Sequence, residues 1–276
     1  MSRLSEIGYG CFSGLLLVMF SCTSAPRRKR ADNDEPQSQK LEISPGGFPE
    51  VMVRFDDTSI SCQIDTGSLR SKVPLRGRFK SYRQQVGGES AESEIEIKNV
   101  LLGGMNFFDR KVQVKKVRDS IFPSEGDCIV GLDLLSEAVL SFDFKKSEFK
   151  IVEEFPPGIT GERLGMSSKL HFGVPVQIGE SEYAAVWSTG VSMLSVPKVL
   201  IEKHKSDFEP IEKGETDLYR TRNVKVAGHV VPVFTSKQYA FPDIGGVNPE
   251  TPVIGMSLIK NFNWLIDVDG RRWAVY

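Results

Sequence analysis

The residues of this chain best suited to chemistry lie in the segment 62–68, whose sequence is CQIDTGS. Strand-type residues precede Asp65, and the glycine two positions later favours a tight turn. A carboxylate held in such a turn can stay open to a cleft, where it can accept or donate a proton. Asp65 is therefore the first candidate catalytic residue. The structural alternative is a turn aspartate that only accepts backbone hydrogen bonds.

A second informative segment, 128–135, has the sequence CIVGLDLL. An apolar strand ends there at Gly131, which follows Asp65 by 66 residues, and a short helix is predicted to begin. Together the two segments resemble the aspartic peptidases of the retropepsin and pepsin clan. In that family an Asp-Thr-Gly loop is braced by an apolar strand that ends at a glycine. The resemblance implies that Asp65 is one carboxylate of a catalytic pair.

An internal repeat extends this pattern over most of the chain. Residues 65–74 (DTGSLRSKVP) align without a gap with residues 188–197 (STGVSMLSVP). Gly255 then follows Ser188 by 67 residues, close to the interval between Asp65 and Gly131. Twelve residues after each of these glycines comes an aspartate in an apolar strand. Chance would not keep these intervals in step, so the chain is predicted to contain two related lobes.

Local patterns favour β-structure in both lobes. Runs such as 50–55 and 112–114 alternate apolar and polar residues, which is typical of half-buried antiparallel strands. Clustered prolines and glycines mark 153–161 as the linker between the lobes. The predicted fold class is all-β, with two tandem closed β-barrel lobes of the acid-protease type at residues 41–153 and 165–276 and a few short helices.

The second lobe departs from the family where the partner carboxylate is expected, because Ser188 stands at that position. Aspartic peptidases work with two carboxylates that share one proton. A serine hydroxyl is uncharged at neutral pH and supplies no general acid near the operating pH. The resemblance still implies that Thr66 and Thr189 hydrogen-bond across the lobe interface, with Gly67 and Gly190 allowing the close approach. The scaffold is kept while half of the acid–base pair is absent.

Three functions remain open from the sequence. The first is a monomeric pseudoprotease that binds an extended peptide or protein segment in the cleft between its lobes. The second is an active endopeptidase formed when the Asp65 lobes of two chains pair. The third is a hydrolase whose second carboxylate comes from elsewhere in the cleft, with Asp243 or Asp269 as candidates. The linker gives the partner lobe an effective concentration on the order of mM, which favours pairing within one chain.

Other chemistry has little support. Ser188 as a nucleophile would need an adjacent base, and His171, His204 and His229 lie in no such motif. The same histidines are too scattered to suggest a metal site, and each is expected to be a surface or satisfied core residue. No cofactor is predicted. With 35 basic and 36 acidic residues the net charge is −1, which makes nucleic acid an unexpected partner.

Each lobe of this family carries a flap, a hairpin that covers the substrate. In the first lobe the candidate is 81–94, with Gly87 and Gly88 as a permissive tip. In the second lobe it lies at about 217–228. The alternative for Gly87 and Gly88 is ordinary turn chemistry without a lid function.

The N-terminus has features of an export signal. Residues 1–22 are predicted to be a signal peptide, since an apolar run too short to span a membrane ends at Ser21-Cys22. This end resembles the bacterial lipoprotein cleavage site, which implies lipidation of Cys22 and a location in the cell envelope, facing the periplasm or at the outer membrane. The alternatives are an ordinary cleaved signal or an uncleaved anchor. The polar segment 23–40 is predicted to be a disordered tether.

Export also bears on the remaining thiols, Cys62 and Cys128. Each precedes a key position by three residues, and in the family fold those two strands lie side by side. The resemblance therefore implies a disulfide, which would contribute about 2–4 kcal/mol in an oxidising compartment. The alternative is a pair of buried free thiols.

Overall fold

A computed structural model describes residues 28–30, 38–74, 79, 93–115, 128–166, 171–211, 217–232, 234–239 and 250–276. This part of the protein is mostly β-structure with three short α-helices, which confirms the all-β prediction. None of the described helices is long and apolar enough to cross a membrane.

Eleven of the described strands precede residue 153. They are β1 (Arg28–Arg30), β2 (Gln39–Lys40), β3 (Glu42–Ile43), β4 (Pro49–Phe55), β5 (Thr58–Ile64), β6 (Lys72–Pro74), β7 (Glu94–Leu102), β8 (Met105–Lys115), β9 (Ile129–Val130), β10 (Val139–Asp143) and β11 (Glu148–Val152). Helix α1 (Leu132–Leu135) lies between β9 and β10.

The later strands follow the predicted linker. They are β12 (Glu162–Arg163), β13 (Gly165–Met166), β14 (Phe172–Ile178), β15 (Ser181–Trp187), β16 (Leu194–Pro197), β17 (Phe208–Pro210), β18 (Leu218–Thr221), β19 (Val224–Val226), β20 (His229–Val231), β21 (Phe234–Tyr239), β22 (Val253–Ile254), β23 (Trp264–Asp267) and β24 (Arg272–Val275). Helices α2 (Lys198–Lys203) and α3 (Met256–Ile259) follow β16 and β22.

The strands form three sheets. The N-terminal sheet has the order β1-β8-β6-β9-β5-β4-β3, and β7 pairs with both β4 and β8, so the pairing of six strands runs in a closed ring. The C-terminal sheet has the order β17-β18-β21-β16-β22-β15-β14-β19-β20, with β13 beside β14, and its described strands form an open path. The shared sheet, β12-β24-β23-β10-β11-β2, takes strands from both halves.

The repeat seen in the sequence is also a repeat of structure. Strands β4 and β5 recur as β14 and β15, each with seven residues and with the same two-residue turn between them. Parallel pairing joins β5 to β9 and, in the second half, β15 to β22. The glycines before α1 and α3 have almost identical backbone angles, φ −105° at Gly131 and φ −107° at Gly255. Both halves therefore place a strand, a loop and a short helix in the same arrangement.

The shared sheet relates the two halves by an approximate two-fold axis. Strands β10 and β23 are antiparallel, and Ser141 lies opposite Leu265. These two residues are equivalents in the repeat, since each comes ten residues after the glycine that precedes its helix. A pair of equivalent residues that face each other must lie on the axis. The axis therefore passes between β10 and β23.

One hydrophobic cluster runs through both halves. Trp187 is fully buried at its centre, with ring centroids 5.6 Å from those of Phe142 and Trp264. Aromatic pairs at such distances add to the stabilisation from burial. The two halves thus share a core as well as a sheet.

The predicted disordered tether at 23–40 is wrong for two of its segments. Strand β1 pairs with β8, opposite Met105–Phe107, and Gln39–Lys40 pairs with the start of β11. The prediction relied on the absence of apolar side chains to bury. Strand pairing is made by backbone groups, which a polar segment also has.

Of the two proposed flaps, the one at 81–94 lies almost wholly outside the described residues, and the one at 217–228 is not a single hairpin. Gly87 and Gly88 lie outside the described residues. Residues 217–228 do not form one hairpin, because they contain β18, β19 and only the turn that leads into β20. That turn, at Ala227 and Gly228, has positive φ at both positions, which suits the tight connection of β19 to β20.

A disulfide joins Cys62 of β5 to Cys128, the residue before β9. The two Cα atoms are 4.5 Å apart, and both residues are buried. The bond ties together the two parallel strands that lead into the Asp65 loop and into α1, and it closes a long segment of chain.

Replacing both cysteines with alanine should lower the free energy of unfolding by about 2–4 kcal/mol, because the unfolded chain regains the freedom of that loop. Chemical denaturation of the oxidised protein and of the double variant measures the difference. Reducing agent should destabilise the parent towards the variant and leave the variant unchanged. Rapid alkylation of both thiols in the untreated native protein would contradict the bond.

Candidate active site

Strand β9 and helix α1 lie against the Asp65 loop and hold it by backbone hydrogen bonds. The amide of Asp65 donates to the Val130 carbonyl at 3.0 Å, and the amide of Leu132 donates to the Ser68 carbonyl at 2.8 Å. A Cβ at Gly131 would come within 2.8 Å of backbone atoms of Ser68 and Arg70. Glycine is needed at this position because the loop backbone passes directly against it.

The Ser188 loop is held in the same way. The amide of Ser188 donates to the Ile254 carbonyl at 3.0 Å, and the amide of Met256 donates to the Val191 carbonyl at 2.7 Å. Gly255 stands against loop backbone as Gly131 does. The apolar strand, glycine and helix that the sequence repeats therefore act as a brace for each loop.

Two threonines join the loops to each other. The amide of Thr66 donates to Thr189 Oγ1 at 3.1 Å, and the amide of Thr189 donates to Thr66 Oγ1 at 3.1 Å. Thr66 Oγ1 also donates to the Trp187 carbonyl at 3.2 Å, and Thr189 Oγ1 donates to the Ile64 carbonyl at 2.7 Å. Both threonines are buried. The hydrogen bonds are reciprocal, as expected for residues that flank a two-fold axis.

The two glycines allow Asp65 and Ser188 to meet at this junction. A Cβ at Gly190 would overlap the Asp65 carboxylate. A Cβ at Gly67 would lie 2.6 Å from Ser188 Oγ and 3.2 Å from Asp65 Oδ1. Each functional side chain thus packs over the glycine of the opposite loop. The structure brings Asp65, Ser188 and both Thr-Gly pairs together at the junction of the loops, where the repeat in the sequence predicts them.

Burial governs the protonation of Asp65. Partial removal from water raises the pKa of its carboxyl above the usual value. The amides of Gly67 and Ser68 and the charges of Lys72 and His171 oppose this rise. The Gly67 amide lies 2.8 Å from Oδ1. A half-buried carboxyl with a raised pKa is suited to exchanging a proton, which is what catalysis or pH-dependent binding requires.

A second carboxyl braces the same loop from the side of α1. Asp133 accepts the amide of Ser71 at 2.9 Å and the Ser71 hydroxyl at 2.6 Å. The Ser71 oxygen in turn accepts the amide of Gly131 at 3.0 Å. Burial raises the pKa of Asp133, and the hydrogen bonds from Ser71 work against that rise. The Asp133 carboxyl therefore fixes Ser71, and through it the Asp65 loop, to the start of α1.

The three histidines differ in their surroundings. His204 bonds to the Tyr183 hydroxyl at 2.7 Å, and His229 packs against Phe262. His171, however, has its Nε2 3.3 Å from the carbonyl oxygen of Gly67, within the Asp65 loop. The expectation of ordinary surface or core histidines therefore missed a residue of the site. No local pattern could have found it, because the contact joins residues 104 positions apart.

Some predicted residues lie elsewhere. Cys22 and Asp243 are outside the described residues. Asp269 is exposed in the turn between β23 and β24. Among the residues that the structure describes, no group of three or more histidine, cysteine, aspartate or glutamate side chains could hold a metal ion.

Scans against models of known protein families and against curated proteins give no match to this chain. Its function must therefore be inferred from the residues and geometry of the site itself.

Replacing Thr189 with valine should destabilise the protein, because valine keeps the volume but leaves the Thr66 amide and the Ile64 carbonyl without their partner. Each buried group left unpaired costs roughly 1–3 kcal/mol. Denaturation of Thr66→Val, Thr189→Val and the double variant should give a coupling energy of about 0.5–3 kcal/mol. Thr235→Val, at an exposed position, is the matched control. Additive effects of the two buried substitutions would contradict the reciprocal bonds.

Replacing Asp65 with asparagine should raise the melting temperature at neutral pH. Because the pKa of Asp65 is raised on folding, the native state loses stability as pH rises from the unfolded-state pKa to the folded one. Asparagine keeps the oxygen that accepts the Gly67 amide and carries no charge. The gain should be greatest above the folded pKa and disappear below the ordinary value of 3.8.

Thermal melts of the parent and Asp65→Asn across acidic to neutral pH measure this effect. Asp269→Asn, in an exposed turn, controls for the loss of one negative charge. A lower melting temperature of Asp65→Asn at neutral pH would mean that the charged carboxylate stabilises the fold, contrary to its burial.

Proposed function

We propose that this protein is an aspartic-peptidase homologue of the retropepsin and pepsin clan, with two tandem lobes and a cleft for an extended peptide, and that its own proteolysis is impaired or lost. One observation carries the proposal: the reciprocal hydrogen bonds of Thr66 and Thr189 hold the Asp65 loop against the Ser188 loop. A pair of symmetric loops with buried threonines at their junction is the arrangement that the family resemblance implies.

The sheets support the two-lobed architecture. Six strands of the N-terminal sheet pair in a closed ring, which fits a small barrel. The second half repeats the order of strands, loop and short helix. On this proposal the linker at 153–161 separates two barrels of one evolutionary origin, and the shared sheet is the floor beneath the cleft.

The proposed loss of proteolysis follows from the number of carboxylates at the junction. Peptide hydrolysis in this family needs one group to take a proton from water while another donates to the carbonyl oxygen. Asp65 supplies one such group. Ser188 packs over Gly67 on the other side of the axis and brings no second charge. The raised pKa of Asp65 comes from burial, whereas in a dyad a neighbouring carboxylate would contribute.

The exposed end of the Asp65 loop supports peptide binding. Asp65 and Gly67 remain partly accessible, and Leu69, two residues further on, is 40% exposed. An apolar side chain beside a half-buried carboxyl suits a ligand that has both backbone hydrogen-bonding groups and apolar side chains. An extended peptide is such a ligand, and it can bind by strand pairing.

An active enzyme formed by two Asp65 lobes from different chains is the alternative. Thr66 is already bonded to Thr189 of its own chain, so a second chain would have to displace that partner and expose four buried backbone groups. This cost favours the single-chain cleft and a monomer.

The proposed setting is the cell envelope, with Cys22 as a lipid anchor after removal of the signal peptide. The disulfide between Cys62 and Cys128 agrees with an oxidising compartment. The proposed partners are therefore peptides or protein segments outside the cytoplasm and the membrane that holds the anchor.

Cleavage of a mixture of unstructured peptides, followed by mass spectrometry from acidic to neutral pH, tests the proposal. The full chain should be silent, and Ser188→Asp should restore cleavage by at least about 10²-fold over the parent, the usual contribution of a positioned acid or base. Ser188→Asn is the matched control, since asparagine has the size of aspartate but carries no charge. Adding Asp65→Asn to the Ser188→Asp variant should abolish cleavage.

Two results would overturn the proposal. Cleavage by the parent that Asp65→Asn abolishes would mean a working peptidase, and its dependence on protein concentration would distinguish a dimer from a single-chain site. Silence of a folded Ser188→Asp variant would mean that the junction is no dyad scaffold.

A further inference from the structure

The side chain of His171 reaches the Asp65 loop from the opposite half of the molecule. His171 directly precedes β14, and its ring is half-buried. Its Nε2 lies 3.3 Å from the carbonyl oxygen of Gly67. A carbonyl has no hydrogen to give, so Nε2 must carry the proton and donate it. His171 therefore makes a directed contact between the two halves.

Gly67 connects this imidazole to the other groups of the site. Its amide donates to Asp65 Oδ1 at 2.8 Å, while its carbonyl accepts from His171. Its Cα faces the Ser188 hydroxyl, since a Cβ there would lie 2.6 Å from Ser188 Oγ. An imidazole, a carboxylate and a hydroxyl thus surround a single residue without a side chain.

We propose that His171 is a positioning residue of the Asp65 site and that its imidazole, fixed on the Gly67 carbonyl, is the second proton-carrying group there. This inference rests on the proposed function only in taking Asp65 as the chemically relevant residue. His171 has no counterpart of its kind in the first half, where Phe48 occupies the equivalent place before β4.

The hydrogen bond to Gly67 is kept when the ring gains a positive charge. Nε2 is the donor in the neutral ring and stays a donor in the imidazolium ion, because both ring nitrogens then carry protons. Protonation therefore adds a charge to a ring that is already in place. A group in this position can change the electrostatics of the site while its contact with Gly67 is kept.

The other charges around Asp65 differ from His171 in their response to pH. Lys72, in β6, also lowers the pKa of Asp65, as His171 does. A lysine ordinarily keeps its charge throughout the acidic and neutral range, whereas histidine is the side chain that ordinarily changes charge between about pH 5 and 8. Further back, Asp133 is bonded to Ser71, and the charge of Arg70 acts on Asp133. Of these groups, His171 is the one whose side-chain type ordinarily changes charge in this range.

The test is a carbon-13 NMR titration of the Asp65 carboxyl in the full chain, labelled at the side-chain carboxyl of aspartate. The signal is assigned by its absence from Asp65→Asn. In His171→Gln, which keeps a donor for the Gly67 carbonyl but has no charge, the titration midpoint of Asp65 should move to higher pH. High salt should reduce the difference between parent and variant, since salt screens charge.

Two further variants separate charge from structure. His171→Lys keeps a positive charge and should return the midpoint towards that of the parent. His229→Gln, an exposed histidine of β20, should leave the midpoint where it is in the parent. An unchanged midpoint in a folded His171→Gln protein would overturn the proposal, and so would an equal movement in His229→Gln.

This titration uses no peptide and no turnover. A protein that fails the cleavage experiment can still show the higher titration midpoint of Asp65 in His171→Gln. A protein with a working cleft can lack that change in midpoint. Failure of the inference and failure of the proposed function are therefore distinguishable.

Discussion

Two hydroxyl groups fix the relation between the halves of this protein. Thr66 and Thr189 each accept the amide of the other and donate to a carbonyl two residues before the other. Four buried backbone groups thus depend on two side chains, and separating the loops would leave all four without partners. Since Asp65 and Ser188 directly precede these threonines, the positions of both follow from this contact. The braces that follow β9 and β22 hold each loop separately.

A symmetric frame here carries asymmetric chemistry. Ser141 and Leu265 face each other on the axis, and two backbone hydrogen bonds of each loop to its brace are equivalent in the two halves. The differences lie in a few side chains. Asp133 braces the loop that holds the carboxylate by accepting two hydrogen bonds from Ser71. In the second half, Leu194 stands at the position equivalent to Ser71 and Ser257 at the position equivalent to Asp133. The polar support is therefore present on the side where the ionisable group stands.

Much of the site was predictable because its signals are local or periodic. Alternating apolar residues predict β4 and part of β8, and the glycines at 131 and 255 predict where each brace turns into a helix. The equal intervals then pair Asp65 with Ser188. Sequence patterns of this kind predict contacts between distant residues only where the residues belong to a repeat that can be aligned.

The remaining features arise from contacts through space. His171 meets Gly67 across 104 positions, and nothing in its neighbours distinguishes it from His204 or His229. The shared sheet depends on β10 and β23 lying together, which neither strand encodes alone. Strand β1 consists of three basic residues and pairs with β8, which composition does not reveal.

Strand β1 also changes how far the protein could stand from a membrane. If the chain were anchored at Cys22, an unpaired segment up to residue 40 would span at most about 60 Å. Because Arg28–Arg30 is already paired to β8, only residues 23–27 separate the anchor from the folded body, a span of roughly 17 Å at full extension. The folded body would then lie close to the bilayer surface, with the N-terminal sheet nearest the lipid.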